Sequence, residues 1–361
     1  MKTEDIYLDI VRQLTEGVWA VGDQLPTERA LAEHYGVSRP TVSRVLNRLR
    51  DSGQIRRTVG AGSFLTEAPR PLVNTQRNIG LFIPGLGKGE IFEPICARIA
   101  ELSQHYNFNL IWGSMPAHEA DDHDEKLVQA AQRFIDQGVQ GVFFQPIERE
   151  SGAENKNLKI AAMFEQAAIP LVLLDGDYLA YPKRSAHDLV GIDNIAASYQ
   201  LCEHFIKQGA TRVDFLWQPN TAGTYIQRLI GYREALFRAG ITPNRSFEHE
   251  GDPRDKAFVR TLVDAGVSNL ICANDETAAL FMHELDNLGL EVPKDMRIAG
   301  FDDVKYAHLA RVPLTTMRQP CRTLGELALS TLIERIKNPN LPPRNITARA
   351  LLCVRESSQL T

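Results

Sequence analysis

The sequence predicts an α/β protein in two parts: a small helical N-terminal domain with a β-hairpin, and a larger two-lobed domain of parallel sheets flanked by helices. In the first part, apolar residues recur at helical spacing and are followed by turn residues. From residue 78 onward, short apolar strands alternate with helices, which is typical of βαβ units with a sheet buried on both faces. A chain of 361 residues is long enough for two or three domains.

Three helices are predicted in the N-terminal part. The first spans residues 4–16, and the second ends at Gly36, a residue type that often terminates helices in the left-handed conformation. The third begins at once, because Ser38 is a good N-cap and Pro40 suits the first helical turn. Two short helices so closely joined must cross steeply, as in a helix-turn-helix, and the segment up to residue 65 then forms a two-stranded wing.

Basic charge is concentrated on this segment. Residues 29–66 hold seven arginines against Glu33 and Asp51, whereas residues 1–28 hold two basic and six acidic residues. A local basic face on a chain of net charge −5 indicates binding of a polyanion. For an isolated basic helix, a solvated charged face is the simpler interpretation. The cap, the glycine turn and the hairpin together favour DNA binding.

Four short runs carry a resemblance to a known family. They are GDQLPTER at 22–29, GVSRPTV at 36–42, GQI at 53–55 and GAGSFL at 60–65. Residues 1–67 therefore resemble the winged helix-turn-helix of GntR-type transcription regulators. The resemblance implies DNA contacts from Arg29, Ser38, Arg39, Thr41 and the wing-tip Gly60. Ser43 and Arg44 lie near the same end of the predicted recognition helix, away from its apolar stripe, and complete the candidate DNA-binding set.

Two prolines, Pro69 and Pro71, interrupt the periodicity and predict a semi-stiff linker over residues 68–77. Residues 78–361 then contain two similar series of strands and helices, which predicts two lobes around a cleft. We expect an N-terminal lobe of residues 78–187 and 319–342 and a C-terminal lobe of residues 188–318 and 343–361. Because ligands bind at the carboxyl ends of parallel strands, residues that follow the strands should face this cleft.

Six separated motifs carry a second resemblance, over residues 78–355. They are VGIDN at 190–194, RLIGY at 228–232, CAND at 272–275, GLEVP at 289–293, GFDD at 300–303 and PLTTMRQP at 313–320. In order and spacing they resemble the effector domains of LacI/GalR-type regulators, which have the periplasmic-binding-protein type I fold. A GntR-type winged helix joined to such a domain is similar to the arabinose repressors of Gram-positive type.

This second resemblance implies a sugar-binding site in the cleft. The implied ligand-binding residues are Phe92, Asp175, Arg228, Asn274, Asp275, Asp302 and Gln319. Relatives often place an aromatic residue after an EGD-like run, but this chain has Pro253, so stacking is expected from Trp217, Trp112 or Tyr178. Each polar residue could instead cap a helix or turn, or form a surface ion pair. Their convergence at strand ends favours a ligand site.

The sequence gives no indication of catalysis, a metal or a cofactor. The turn at 85–89 lacks the spacing of a phosphate-binding loop, and the acidic run at 118–125 precedes a predicted helix, where it suits the helix dipole. A pyridoxal-phosphate aminotransferase-like body, which other winged-helix proteins of this type carry, conflicts with the LacI-like motifs. Five scattered cysteines predict free thiols in a reducing cytoplasm, and no apolar run has the length of a signal or membrane span.

Together, these features predict a cytoplasmic, ligand-responsive transcription regulator without enzymatic activity. It is expected to be a homodimeric repressor of carbohydrate-utilisation genes that binds an inverted repeat in double-stranded DNA and is released by a sugar. Open alternatives are a nucleobase effector, a phosphorylated effector that the 85–89 turn with Lys88 would favour, and a ligand that acts as co-repressor. A sugar-processing enzyme tethered to DNA is a further alternative. No membrane partner is expected.

Overall fold

The computed structural model describes residues 3–15, 18–51, 54–58, 62–66, 77–84, 86, 91–113, 123–148, 150 and 152–360. The chain forms two compact units, Met1–Gln76 and Arg77–Thr361. The predicted linker at 68–77 lies outside the described residues except for Arg77, which begins a strand.

The first unit has the predicted helix-turn-helix and wing. Its elements are α1 Thr3–Thr15, α2 Glu28–Tyr35, α3 Arg39–Asp51, β1 Ile55–Thr58 and β2 Gly62–Leu65. The two strands pair antiparallel, and one apolar core joins them to the helices. Gly36 ends α2 at φ 65°, and its N–H donates to the carbonyls of Ala32 and Glu33. The left-handed turn that directs α3 away from α2 is therefore confirmed.

The second unit contains two six-stranded sheets. The first follows the order β13-β7-β6-β5-β3-β4 and is parallel throughout. Its strands are β3 Arg77–Phe82, β4 Phe108–Trp112, β5 Gly141–Phe144, β6 Leu171–Leu174, β7 Asp188–Ile192 and β13 Asn345–Ala348. The associated helices are α4 Phe92–Tyr106, α5 His123–Asp136, α6 Ala153–Gln166 and α12 Cys321–Lys337. Its strands β5, β6 and β7 are buried along their whole length, as the sequence pattern predicts, whereas the edge strands β4 and β13 are partly exposed.

The second sheet follows the order β14-β12-β11-β10-β8-β9, and β14 alone of these strands is antiparallel to its neighbour. Its strands are β8 Asp214–Trp217, β9 Glu248–Glu250, β10 Asn269–Cys272, β11 Arg297–Asp302, β12 Thr315–Arg318 and β14 Leu351–Cys353. The associated helices are α7 Asn194–Lys207, α8 Thr224–Arg238, α9 Lys256–Asp264, α10 Asp275–Asn287 and α11 Lys305–Leu309. Short 3₁₀ turns occur at Arg245–Phe247 and Glu356–Ser358.

The predicted lobe boundaries are wrong at two strands. We expected residues 188–318 and 343–361 in the C-terminal lobe, but β7 pairs with β6 and β13 pairs with β7, so both complete the first sheet. The chain therefore crosses between the lobes after β7, after β12 and again between β13 and β14. The alternation of strands and helices gives their order along the chain but not their pairing partners, so the crossings could not be placed.

Candidate DNA-binding and effector sites

The N-terminal half of α3 presents the predicted contact residues. Arg39 and Arg44 are exposed, and Thr41 and Ser43 are partly exposed between them in sequence. The Ser38 and Thr41 hydroxyl oxygens lie 2.9 Å apart, which links the residue before α3 to its first turn. This end of the helix offers two guanidinium groups and several hydroxyl groups, the types of group that bind phosphates and base edges.

Arg29 lies at the start of α2, with a side chain that is 73% exposed. Its Nε is 2.9 Å from Oε1 of Glu33, one helical turn away. An exposed pair of this kind contributes little to stability, so the guanidinium can exchange Glu33 for a phosphate group at small cost. The remaining predicted contact, Gly60 at the wing tip, lies outside the described residues.

Two other arginines of the basic segment connect elements of the fold. Arg57 of β1 donates to Oδ1 of Asn47 at 2.6 Å and pairs with Glu28 of α2. The guanidinium of Arg48 lies 3.8 Å from the centre of the Tyr7 ring on α1, a cation–π contact. Both were included in the count of seven arginines, so the face available to DNA is smaller than that count suggests.

In the second unit, a cavity lies between the carboxyl ends of the two sheets. It contains five of the seven predicted ligand residues, namely Phe92, Asp175, Arg228, Asn274 and Asp302. Several other residues that line it were not predicted from the sequence, among them Glu148, Thr221, Tyr225, Glu276 and Tyr306. Glu148 and Thr221 also follow strands, β5 and β8, so the strand-end rule could have identified them.

Arg228 forms the base of the cavity. Its side chain is buried on α8, where Nε donates to Oδ1 of Asn194 at 2.8 Å and Nη1 donates to the carbonyl of Ala273. Its Nη2 is 3.6 Å from Oδ1 of Asp302, and the guanidinium carbon lies 4.5 Å from the centre of the Phe301 ring. Three of its contacts thus come from strand ends or helix starts of one lobe, which fixes the guanidinium before any ligand arrives.

Asp175 comes from the opposite lobe, directly after β6, in the left-handed conformation at φ 68°. Although part of the residue is accessible, its Oδ1 is buried without a hydrogen-bond donor. The pKa of Asp175 is raised to about 6, chiefly by burial; the charge of Arg228 lowers it, that of Asp302 raises it, and a hydrogen bond from Gln319 lowers it. Oδ1 of Asp175 therefore lacks a donor that a ligand hydroxyl group could supply.

Two predicted ligand residues do not line the cavity. Gln319 is 3% exposed, and its Nε2 donates to Oδ1 of Asp302 at 2.8 Å, so it orients a cavity residue instead. Asp275 accepts hydrogen bonds from Oγ1 of Thr316 at 2.6 Å and from the backbone N–H of Val304 at 3.1 Å. The expectation that Asp275 faces the ligand is wrong, because its carboxylate joins α10 to β12 and to the loop after β11.

Asn274 has both of the roles that were considered. It is the N-cap of α10, and its Oδ1 accepts the backbone N–H of Thr277 at 2.8 Å. It also lines the cavity. The capping bond holds the side chain at the carboxyl end of β10, where the ligand hypothesis placed it.

The predicted stacking residues are wrong for the central cavity. Trp112 is 59% exposed on the edge strand β4, and neither Trp217 nor Tyr178 lines this cavity. Its walls instead include Tyr225 and Tyr306. The ring of Tyr225 stacks on Trp217 at a centroid distance of 5.3 Å, so Trp217 supports an aromatic wall from behind.

The remaining sequence features concern metal binding, the glycine-rich and acidic runs, the cysteines and membrane spans. In the part of the chain that the structure describes, no group of three or more histidine, cysteine or acidic side chains is placed to hold a metal ion. Most of the runs at 85–89 and 118–125 lies outside that part. All five cysteines are free thiols, as predicted. No described helix combines the length and the apolar character needed to cross a membrane.

Comparison with known proteins identifies both units. Residues 2–65 match the model of bacterial regulatory proteins of the gntR family, and residues 202–358 match that of a periplasmic binding protein-like domain. The arabinose metabolism transcriptional repressor of Geobacillus stearothermophilus is 25% identical over 97% of this chain and 96% of its own length. The transcriptional regulator CelR of Thermobifida fusca is 27% identical over 92% of this chain and 98% of its own length.

A solved structure agrees with the fold of the larger unit. The structure described as a transcriptional regulator CelR-cellobiose complex superposes with a TM-score of 0.66 at 23% identity, and it covers 92% of this chain and 100% of its own. The chain thus carries a regulatory domain of the gntR family and a periplasmic-binding-protein-like domain, the two parts of a ligand-responsive transcription regulator.

Proposed function

We propose that this regulator represses carbohydrate-utilisation genes and leaves its operator when a sugar binds in the cavity between the two lobes. The buried Oδ1 of Asp175, which has no donor, is the observation that carries the proposal. It lies in a cavity shared with Asp302 and Arg228, so carboxylates from both lobes face a common ligand. A sugar would supply hydroxyl donors to both carboxylates, and the lobes would close around it.

The charge of the cavity supports an uncharged polyol over the phosphorylated alternative. Its described walls carry four carboxylates, those of Glu148, Asp175, Glu276 and Asp302, against the guanidinium of Arg228. Two bonds to neighbouring protein groups already engage that guanidinium. A phosphate group would therefore meet net negative charge. The names of the relatives agree with a sugar: one regulates arabinose metabolism, and a CelR structure contains cellobiose.

On DNA, we propose that two copies of the chain act together. A homodimer would place two winged helices on an inverted repeat whose half-site centres are about 34–36 Å apart or a multiple of that distance. The protein would act in the cytoplasm, where a transcription regulator meets its DNA, and by binding its ligand without converting it. The second candidate is a sugar that acts as co-repressor and strengthens operator binding. The cavity would bind the sugar through the same groups in either case.

Operator binding with and without sugars tests the proposal. Purified protein is screened by thermal shift against monosaccharides, disaccharides, sugar phosphates and nucleobases, and each hit is added to a protein–operator complex at fixed salt. A ligand at 100 times its Kd should raise the free energy of unfolding by about 2.7 kcal/mol. We expect neutral sugars to shift the transition and to release DNA. Hits only among phosphates or nucleobases would refute the sugar assignment, and tighter DNA binding would establish a co-repressor.

A further inference from the structure

We propose that the effector cleft has a second compartment, and that the effector is an uncharged disaccharide whose second ring occupies it. The inference rests on the proposed function, because it assigns the ligand class of the same cleft. The inner compartment is the cavity of Asp175, Arg228 and Asp302. The outer compartment lies beside it and is lined by Tyr178 and Ala180, among others.

The two compartments adjoin. Glu148 and Thr221 line both of them, so a ligand that occupies both compartments passes these two residues. The inner compartment has a volume of about 70 Å³ and the outer one about 450 Å³ on the same measure. Most of the space in the cleft is therefore outside the part that holds the buried carboxylates. A ligand anchored at Asp175 would extend past Glu148 and Thr221 into this space.

Both lobes build the outer compartment, as they build the inner one. The first lobe contributes the loop after β6, including Tyr178 and Ala180, and the start of α6. The second lobe contributes Asn220 and Gly223 from the segment before α8. A ring held there would contact both lobes and would favour the closed cleft, which is the requirement for an effector that acts through closure.

The chemistry of the outer compartment suits an uncharged sugar ring. Tyr178 is half-buried, and the centre of its ring lies 6.5 Å from that of Phe144, with the two rings tilted by 42°. Its aromatic face can pack against sugar C–H groups. Asn155 and Asn220 add amide groups that can bind hydroxyls. Asn157 is unavailable, because it bonds both the N–H and the carbonyl of Ile147 at 2.7 and 2.9 Å.

Charge favours an uncharged second unit over an anionic one. The described lining of the outer compartment contains Glu148, Glu150, Glu154 and Asp177 and no lysine or arginine. The cations next to this lining already pair with its carboxylates: Lys156 lies 2.8 Å from Glu150, and Nε of Arg184 lies 3.3 Å from Oδ2 of Asp177. An added phosphate or carboxylate would have to compete with these carboxylates for the same cations.

Isothermal titration calorimetry of the full chain tests the proposal. The ligands are disaccharides of glucose, galactose and arabinose, and each is compared with its component monosaccharides. We expect at least one disaccharide to bind about tenfold or more tightly than its monosaccharides, and its 6-phosphate to bind more weakly. Affinities for disaccharide and monosaccharide within threefold of each other, or tighter binding of the phosphate, would overturn the second compartment and leave the sugar regulator intact. Saccharides that neither bind nor release DNA would overturn both proposals.

Two variants that add a bulky side chain test which compartment binds the second sugar ring. Ala180→Trp narrows only the outer compartment and should weaken the disaccharide about tenfold while leaving the monosaccharide unchanged. Ala222→Trp narrows only the inner compartment and should weaken both ligands. Tyr178→Ala tests the aromatic face without adding bulk. Chemical denaturation of the larger unit serves as the folding control for all three. Equal losses for both ligands in Ala180→Trp, with the stability of the larger unit retained, would contradict the assignment.

Discussion

The ion pair between Arg228 and Asp302 gives the sharpest prediction for a single residue. Arg228→Ala removes the donor to Asn194 and Ala273 and leaves Asp302 without its cation. We expect loss of the sugar response and a decrease in the free energy of unfolding of the larger unit by roughly 3–5 kcal/mol, the range for breaking a buried pair. Operator binding should persist, because the winged helix is a separate unit.

The matched control is Arg238→Ala on the same helix. Arg238 is exposed, and among the described residues its ion-pair partner is Glu234, one turn away. Sugar titration and chemical denaturation of both variants separate the two effects. A normal sugar response in Arg228→Ala would show that the cavity is not the effector site.

Asp175 predicts a pH dependence of sugar binding. Its pKa of about 6 lies above the ordinary 3.8, so the folded protein without ligand holds this proton more strongly than the unfolded chain. Asp175 therefore contributes stability at low pH that is lost as the pH rises through about 6. A ligand hydroxyl group that donates to this carboxylate binds its ionised form better than its protonated form, so ligand binding lowers the pKa of Asp175. Sugar affinity should consequently fall as the pH decreases below about 6.

Titration calorimetry between pH 5 and 8 measures this dependence, and Asp175→Asn should abolish it. Arg228, Asp302 and Gln319 also face this carboxyl group, and Glu148 lines the same cavity. A pH profile that is unchanged in Asp175→Asn would assign the titration to one of the other carboxylates. Proton release on binding near pH 6 would support Asp175 directly.

Individual residues were predictable where the position along a strand decides where a side chain lies. Asp175 follows β6 and Asp302 ends β11, and both line the cavity because it lies at the carboxyl ends of the two sheets. Arg228 reaches the same cavity from α8 and was predicted from the family resemblance. Asp275, adjacent in sequence to the cavity residue Asn274, was predicted wrongly, because the direction of a side chain depends on partners such as Thr316 that lie far away in the chain. Both residues carry the same kind of polar group, so composition could not distinguish them.

At the scale of elements, the role of Arg39 on the recognition helix α3 decides how Arg39→Ala changes DNA binding. If Arg39 contacts a guanine, the substitution should weaken the free energy of operator binding by about 1–3 kcal/mol and relax specificity at one base position. If Arg39 contacts a phosphate, affinity falls for all sequences and the slope of log K against log salt decreases by about 0.9. Binding to operator variants over a salt series distinguishes these outcomes.

Arg57→Ala is the comparison variant for the recognition helix. Arg57 joins β1 to Asn47 and Glu28, so its removal should lower the stability of the first unit rather than change base specificity. A change of specificity in Arg57→Ala, without loss of stability, would contradict the division of the arginines into two groups.

The packing of α7 against α8 depends on Gly231. A Cβ atom at this position would lie 2.0 Å from the carbonyl oxygen of Ile195 and 3.0 Å from the backbone nitrogen of Tyr199. Backbone atoms cannot move aside as the end of a side chain can. Gly231→Ala should therefore force the two helices apart and lower the free energy of unfolding by about 1–3 kcal/mol. Gly223→Ala, where the added atom meets nothing within 4 Å, should change stability by less than about 0.5 kcal/mol. Chemical denaturation compares the two.

Helices and strands themselves were largely predictable, because apolar periodicity and turn residues are local signals. β5 and β10 occupy the predicted residues, and most helices differ by only a few residues. The strands β9, β12, β13 and β14 were not predicted. In β9 and β14, three residues with little burial leave no periodic pattern. Their place in the sheet is set by neighbours distant in sequence, and the same limitation misassigned β7 and β13.

At the scale of the whole molecule, repression and sugar binding must be coupled through one free energy. To move operator occupancy from 99% to 1%, the sugar must prefer the released state by about 10⁴, or roughly 5.5 kcal/mol. Such a preference requires that the ligand contact both lobes differently in the two states. The cavity meets this requirement in principle, since Asp175 comes from one lobe and Arg228 with Asp302 from the other.

Reciprocity makes this coupling testable without any structure of the complex. If the sugar weakens operator binding by a given factor, then operator DNA must weaken sugar binding by the same factor. We therefore expect two ratios to be equal. One is the ratio of the sugar dissociation constants of operator-bound and free protein, and the other is the ratio of the operator dissociation constants with and without sugar. Equal sugar affinities in the two states, together with sugar-induced release of DNA, would violate the cycle and would mean that release does not arise from binding in the cleft. Arg228→Ala should reduce both factors to one, because a site that no longer binds the sugar cannot transmit a preference to the winged helix.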